Sequence, residues 1–109
     1  MITFIRNGVD AYKIVKDGEA IGNIIMREEG STLCIESISL YYNSRNKGIG
    51  TEIVGMLKRR YRRIVGESTP FAYKFWERVG AELEFPVNDS MIDKLVDEQI
   101  YVPFTIACA

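Results

Sequence analysis

The residues best placed to do chemistry lie in SRNKGIGTEIVGMLKRR, residues 44–60, where Gly48 and Gly50 follow two cations and lead straight into an amphipathic pattern. A strand, a cation-rich loop, Gly48-Ile49-Gly50 and a helix gather several backbone N–H groups and the positive end of a helix dipole at one point. Glycine there lets the backbone approach an anion with no Cβ in the way. The chemistry implied is anion holding, phosphate above all. Histidine is absent from all 109 residues, which excludes a Ser-His-Asp triad, a Cys-His pair and an H-E-x-x-H metal site. Proton transfer must then fall to carboxylates, tyrosines, lysines or water. Cys34 and Cys108 lie too far apart in sequence to suggest a ligand cluster, so no metal is expected and two reduced, buried thiols are.

The net charge of −1 conceals a polarity. Residues 1–44 carry −2, residues 45–78 carry +6 and residues 79–109 carry −5. The middle third therefore sets a positive field beside the glycine loop, which suits an anionic ligand. The run KRRYRR, residues 58–63, reads as a solvated helix end whose cations complement the dipole. Apolar runs are too short to cross a membrane and no charged-then-apolar leader opens the chain, so a cytoplasmic protein is expected.

No repeat, linker or low-complexity tract interrupts the chain, so residues 1–109 read as one domain. ITFIR and AYKIV alternate as strands around the turn NGVD, and KDGE forms a hairpin turn centred on Asp17-Gly18 that leads into AIGNIIMRE. EGS turns again into TLCIESISLYY. There the apolar set runs Leu33, Ile35, then Ile38, Leu40; the change of parity requires a β-bulge near Glu36-Ser37. Ile53, Val54, Leu57, Tyr61 and Ile64 then recur at helical spacing, followed by the short strand RIVG. Thr69 reads as an N-cap with Pro70 in the first helical position, Phe71, Phe75 and Val79 as the buried stripe, and Gly80 as the stop. AELEF is a strand. Ser90 caps a third helix with Met91, Ile92, Leu95 and Val96 inward, and YVPFTIA closes the chain. The expectation is an α/β (α+β) fold: a mixed, mostly antiparallel sheet of about seven strands flanked by about three helices.

Three phosphate-binding patterns share the strand–glycine loop–helix order. A P-loop fails because Gly55 is followed by Met56-Leu57 rather than Lys-Ser/Thr. A dinucleotide fingerprint wants a third small residue where Ile53 stands, although Glu67 lies near its acidic spacing. RNKGIG matches R/Q-x-x-G-x-G/A, the pyrophosphate loop of the GNAT superfamily of N-acetyltransferases. The stretch AIGNIIMREEGSTLCIESISLYYNSRNKGIGTEIVGMLKRR resembles that family's acetyl-CoA half. TPFAYKFWERVGAELEF resembles its later helix and strand. Together they cover residues 20–85.

The resemblance implies an enzyme that binds acetyl-CoA as cosubstrate and moves its acetyl group to an amine of a protein, peptide or small molecule. Lys47, Gly48, Ile49 and Gly50, with Arg45 and Asn46 beside them and Thr51 in the first helical turn, would hold the pyrophosphate. Ile38, Ser39 and Leu40 would pair with the pantetheine arm, the Leu40 N–H facing the thioester carbonyl. Glu36, on the bulged strand, is the candidate general base, set against an ordinary surface carboxylate. At the position of the family's acidic tyrosine stands Trp76, whose indole donates a hydrogen bond but is no useful acid. Tyr73, one turn earlier, is the candidate substitute, set against a tyrosine that merely packs. The family's helices between the first two strands are also missing, leaving an open acceptor side that a peptide or a second copy of the chain, as a homodimer, would complete. The rival readings are a catalytically silent CoA-binding module and, more distantly, a nucleic-acid binder using KRRYRR; nucleic acid is not the expected partner.

Overall fold

Alternate residues of successive strands are apolar, and the register stacks them on one side of a sheet. The computed structural model describes residues 1–45 and 47–108. Strands β1 (Ile2–Arg6), β2 (Ala11–Lys16), β3 (Glu19–Glu29) and β4 (Thr32–Leu40) run as an antiparallel meander. Helix α1 (Ile49–Lys58) crosses over to β5 (Arg63–Ser68), which pairs parallel with β4. Helix α2 (Tyr73–Arg78), the edge strand β6 (Glu82–Leu83), helix α3 (Ile92–Asp97) and β7 (Val102–Ala107) complete the order, and the sheet runs β1-β2-β3-β4-β5-β7-β6. This is the expected α/β architecture of seven strands and three helices. Among the described residues no helix is long and apolar enough to cross a membrane.

Cross-strand partners carry the core: Phe4 opposes Ile14, Tyr12 opposes Ile24, Leu33 opposes Ile64, and Ile64 opposes Ile106. Ile53, Val54 and Leu57 of α1 and Trp76 of α2 join the same cluster, so both helices pack on that face. The other face shows Lys13, Asn23, Arg27, Ser39, Arg63 and Glu67, all exposed, the polar-out pattern of an antiparallel sheet with one wet side. Asp17 (φ 51°) and Gly18 (φ 84°) are both left-handed, as a two-residue hairpin turn requires. The change of parity in β4 has the expected cause. Ile25 opposes Ser37 while Met26 opposes Ile35, which leaves Glu36 as the extra, bulged residue.

Several local expectations need correction. Tyr61 and Ile64 do not continue the α1 stripe. The helix stops at Lys58, Arg59 and Arg60 bond back to Met56 and Leu57 in a tightening turn, and Ile64 enters the core from β5. Phe71 is 73% exposed, because Pro70–Ala72 forms a 3₁₀ turn that shifts the helical phase; Val79 is buried as expected, Phe75 is half-buried, and Tyr73 and Trp76 are buried in place of Phe71. Thr69 does occupy the cap position before Pro70, but its side chain makes no capping bond. Strand β4 ends at Leu40, and Tyr42–Ser44 coil into a 3₁₀ turn. Only Glu82–Leu83 of AELEF pairs. The cap of the last helical segment is Asn88, whose side chain accepts from the Ser90 N–H at 3.0 Å, and Val96 faces solvent while Leu95 is buried. The two thiols are half-buried rather than buried.

Candidate active site

The site begins where two parallel strands part. β4 and β5 pair from Thr32–Arg63 to Ile35–Gly66 and no further. Beyond that rung β4 stays with β3 as far as Leu40–Gly22, and β5 stays with β7 as far as Ser68–Val102. A cleft opens between them at their carboxyl ends. Two features cause it. The Glu36 bulge bends and over-twists β4 at the point of departure. At the last rung, a Cβ on Gly66 would stand 2.7 Å from the Ile35 carbonyl oxygen and 2.8 Å from the Phe104 ring. Only glycine lets the strands close there before they separate.

The cleft wall on the β4 side is main chain. The Tyr41 N–H donates to the Ile21 carbonyl at 2.8 Å. Amides alternate in direction along a strand, so the Ser39 N–H also turns to β3 while those of Ile38 and Leu40 turn toward the cleft. Arg45 reaches back from the following loop, and its Nε donates to the Leu40 carbonyl at 3.0 Å.

The same loop delivers the start of α1. Gly48 is the N-cap residue with φ 74°, and no side chain among the described residues caps the helix. Among the described residues, a Cβ at Gly48 would meet nothing within 4 Å. The first amides of α1 have no intrahelical acceptor and lie at its positive end. Lys47 and Thr51 are exposed beside them; Asn46 lies outside the described residues. Gly50 has a packing role, since a Cβ there would come within 3.0 Å of the Phe75 ring of α2. Lys16 on β2 ties to Glu52 in the first turn at 2.9 Å. From Thr51 a shallow cavity of ≈ 280 Å³ runs past Gly55 and Lys58 to Arg78, Val79 and Gly80. Lys58 Nζ donates to the Val79 carbonyl there at 3.0 Å, neutralising the C-terminal end of α2.

The side chains of α2 are engaged otherwise. Trp76 is 5% exposed, stacks on Phe104 with centroids 4.1 Å apart, and meets Phe75 edge-on at 5.1 Å. The Tyr73 hydroxyl donates to Asp89 Oδ1 at 2.6 Å, and Lys74 Nζ holds Asp89 Oδ2 at 3.0 Å. The bond to Asp89, with desolvation second, pushes the Tyr73 phenol up to about 12. The Tyr73 hydroxyl, then the Lys74 ammonium, hold the Asp89 carboxyl below its usual value. Glu36 stands exposed on the bulge at the mouth of the splay. The structure therefore gathers Glu36, the Ile38 and Leu40 amides, Arg45 and Lys47–Thr51 around one cleft, while Trp76 faces core and Tyr73 is tied to Asp89. Reading of the sequence missed Gly66 and Asp89. A lone glycine inside RIVGES was the available signal for Gly66, since it marks close backbone approach; nothing local pointed to Asp89.

No protein-family model and no curated protein sequence matches the chain. Solved structures do. A nourseothricin acetyltransferase superposes with a TM-score of 0.64 at 18% identity, over 92% of this chain and 66% of that one. Tetrahymena GCN5 gives 0.64 at 15% identity, over 91% and 68%. A GNAT family acetyltransferase from Elizabethkingia anophelis with acetyl-CoA bound gives 0.58 at 17% identity, over 89% and 74%. The chain has the GNAT-like N-acetyltransferase fold, and it spans about two thirds of the length of the first two structures.

Proposed function

We propose that the protein binds acetyl-CoA in the β4–β5 splay and transfers the acetyl group to an amine. One observation carries the reading. The splay places main-chain donors of a strand end and the start of a helix at the same sheet end, as a ligand whose amide-bearing arm runs from a thioester to a pyrophosphate requires. The first amides of α1, with Lys47 beside them, hold the pyrophosphate, and Gly48, with no side chain, lets it approach. Ile38 and Leu40 pair with the amide-bearing arm as an added strand would. The Leu40 N–H donates to the thioester oxygen, where negative charge develops as the amine attacks. Arg45 braces the strand end through the Leu40 carbonyl. Glu36 accepts a proton from the incoming ammonium, directly or through water. A thiol of ordinary pKa, about 8.5, leaves without strong acid help, and alignment of two reactants in one cleft supplies much of the acceleration.

A second reading has its own support. With Trp76 stacked in the core and the Tyr73 proton held by Asp89, α2 offers no strong acid. That arrangement suits a module that binds CoA without turnover. The two readings part in one experiment: thiol release from acetyl-CoA is followed across a panel of amines and peptides, with thermal stabilisation by CoA measured in parallel. Stabilisation with amine-dependent thiol release supports transfer. Stabilisation without thiol release from any amine supports the binding module, and stabilisation by NAD or ATP equal to that by CoA removes both.

A further inference from the structure

The two edges of the sheet are built differently. β6 forms one, with only Glu82 and Leu83 paired; Glu82 and the following Glu84 are exposed and Pro86 comes next, the short, charged kind of edge that resists further pairing. β1 forms the other, with five residues, no proline, glycine or bulge, and a single charge at its end. The Asn7 N–H donates to the Ala11 carbonyl at 2.9 Å and the Asp17 N–H to the Met1 carbonyl at 3.2 Å. Backbone groups alternate in direction along a strand. In this register Thr3 and Ile5 therefore turn theirs to β2, while those of Ile2, Phe4 and Arg6 point outward. Among the described residues no backbone group from elsewhere meets them. Phe4, half-buried on the core side, and Ile5, 52% exposed on the other, stand at the same edge.

This strand is complementary to itself. A second copy turned about a two-fold axis through Phe4 sets Ile2 opposite Arg6, Thr3 opposite Ile5 and Phe4 opposite Phe4. Every outward group then meets an outward group, and the Ile2–Arg6 and Phe4–Phe4 pairs each exchange both of their bonds. A shift of two residues either way leaves Ile2 or Arg6 without a partner, and a shift of one sets outward groups against inward ones. Opposite residues have equal parity, so the core sides of the two sheets coincide. Phe4 already opposes Ile14. The rung thus becomes Ile14–Phe4–Phe4–Ile14 and covers the flank of Phe4 that the sheet edge leaves open. The two Arg6 side chains fall at opposite ends, so no like charges stand opposed. An unrelated strand would satisfy the amides without this match of side chains.

We propose that two copies of the chain pair through β1 as an antiparallel, two-fold dimer that joins their sheets into one. The pairing occupies both long edges and leaves the short β6 edges outside, so assembly closes at two. Ile2 pairs with Lys16, Lys16 with Glu19, and Gly22 with Leu40, so the start of β1 lies at the end of the sheet where the cleft opens. Antiparallel pairing therefore points the two clefts in opposite directions and walls neither. The dimer is independent of what the cleft binds.

Sedimentation of the full chain from about 10 μM to about 1 mM should show monomer and dimer in equilibrium and nothing larger, weak as a small interface is. Amide hydrogen exchange followed by NMR over the same range reads the edge directly. The amides of Ile2, Phe4 and Arg6 should slow as the dimer forms, while those of Thr3 and Ile5, already bonded to β2, barely change. Arg6→Pro removes an outward amide and leaves the pairing with β2 intact. Ile5→Lys adds, at an exposed position, the cation that protected edges carry. Each should raise the dimer dissociation constant about tenfold or more while the cooperative thermal melt is kept. Wild type that stays monomeric up to about 1 mM overturns the proposal and leaves the edge to a strand of another protein. So does a dimer of undiminished strength in either variant, a dimer whose Phe4 and Arg6 amides exchange no more slowly, or assembly that grows beyond two copies.

Discussion

The two sides of the splay use the same chain in opposite ways. On the β4 side the groups facing the cleft are backbone: the Ile38 and Leu40 amides and the start of α1, with Gly48 adding no side chain to the approach. On the α2 side the candidate groups are side chains, and both are occupied, Trp76 by Phe104 and Tyr73 by Asp89. The contrast teaches where function resides in this fold. Main-chain donors are fixed by strand pairing and helix direction, so they survive changes of side chain. On the α2 side Trp76 packs in the core, and that packing leaves the main-chain groups of β4 and α1 untouched.

The comparison is tested hardest at Trp76. If its role is packing, Trp76→Ala should cost about 3–5 kcal/mol of stability, the usual loss for deleting a buried large aromatic side chain. Chemical denaturation measures it, and a loss below about 1 kcal/mol would place the indole outside the core. Gly48→Asp attacks the other side. It should cost about 1 kcal/mol of unliganded stability, because Gly48 sits at φ 74° where a side chain is strained, and also remove the ligand's contribution, about 2.7 kcal/mol at a hundred times the dissociation constant. Retention of the full thermal shift in this variant would mean the α1 start is not the anion site.

Tyr73→Phe separates a structural clamp from an acid. As a clamp, Tyr73 should yield a lower melting temperature on substitution but turnover within about threefold of wild type, far from the 10²–10⁴-fold of a lost general acid. The pH dependence has a definite sign. The phenol is raised from 10.0 to about 12 in the folded protein, so its stabilisation is complete below pH 10 and disappears as pH climbs toward 12. Asp89 is lowered from 3.8, so its share is complete above that pH and disappears in stronger acid. The difference in melting temperature between wild type and Tyr73→Phe should therefore narrow at both extremes; a constant difference would contradict the clamp. The smallest effect is expected from Arg59→Gln/Arg62→Gln, with CoA affinity reduced modestly at low salt and less at high salt. Tight nucleic-acid binding by wild type, lost in this double variant, would favour the rival use of the basic run.

Legibility in the sequence followed the range of the interactions. The hairpin at Asp17-Gly18 and the glycine loop are local, and each is written in a few adjacent residues. The bulge at Glu36 was visible because a period-2 pattern records a slip of one residue. Phe71 was misplaced because a 3₁₀ turn and an α-helix differ in phase, and only the packing of Trp76 on Phe104 decides which phase prevails. The splay itself depends on Gly66 meeting the Ile35 carbonyl and the Phe104 ring, a contact among three segments far apart in sequence. The Tyr73–Asp89 clamp spans sixteen residues and leaves no periodic trace.

The central claim is that the ligand is held by the backbone on the β4–α1 side. Amide NMR of the full chain titrated with acetyl-CoA tests it most directly, residue by residue. The amides of Ile38, Leu40 and Gly48–Thr51 should shift strongly, while the Trp76 indole N–H stays nearly still. A titration that moves the Trp76 indole and leaves Leu40 and Gly48–Thr51 in place would contradict the account.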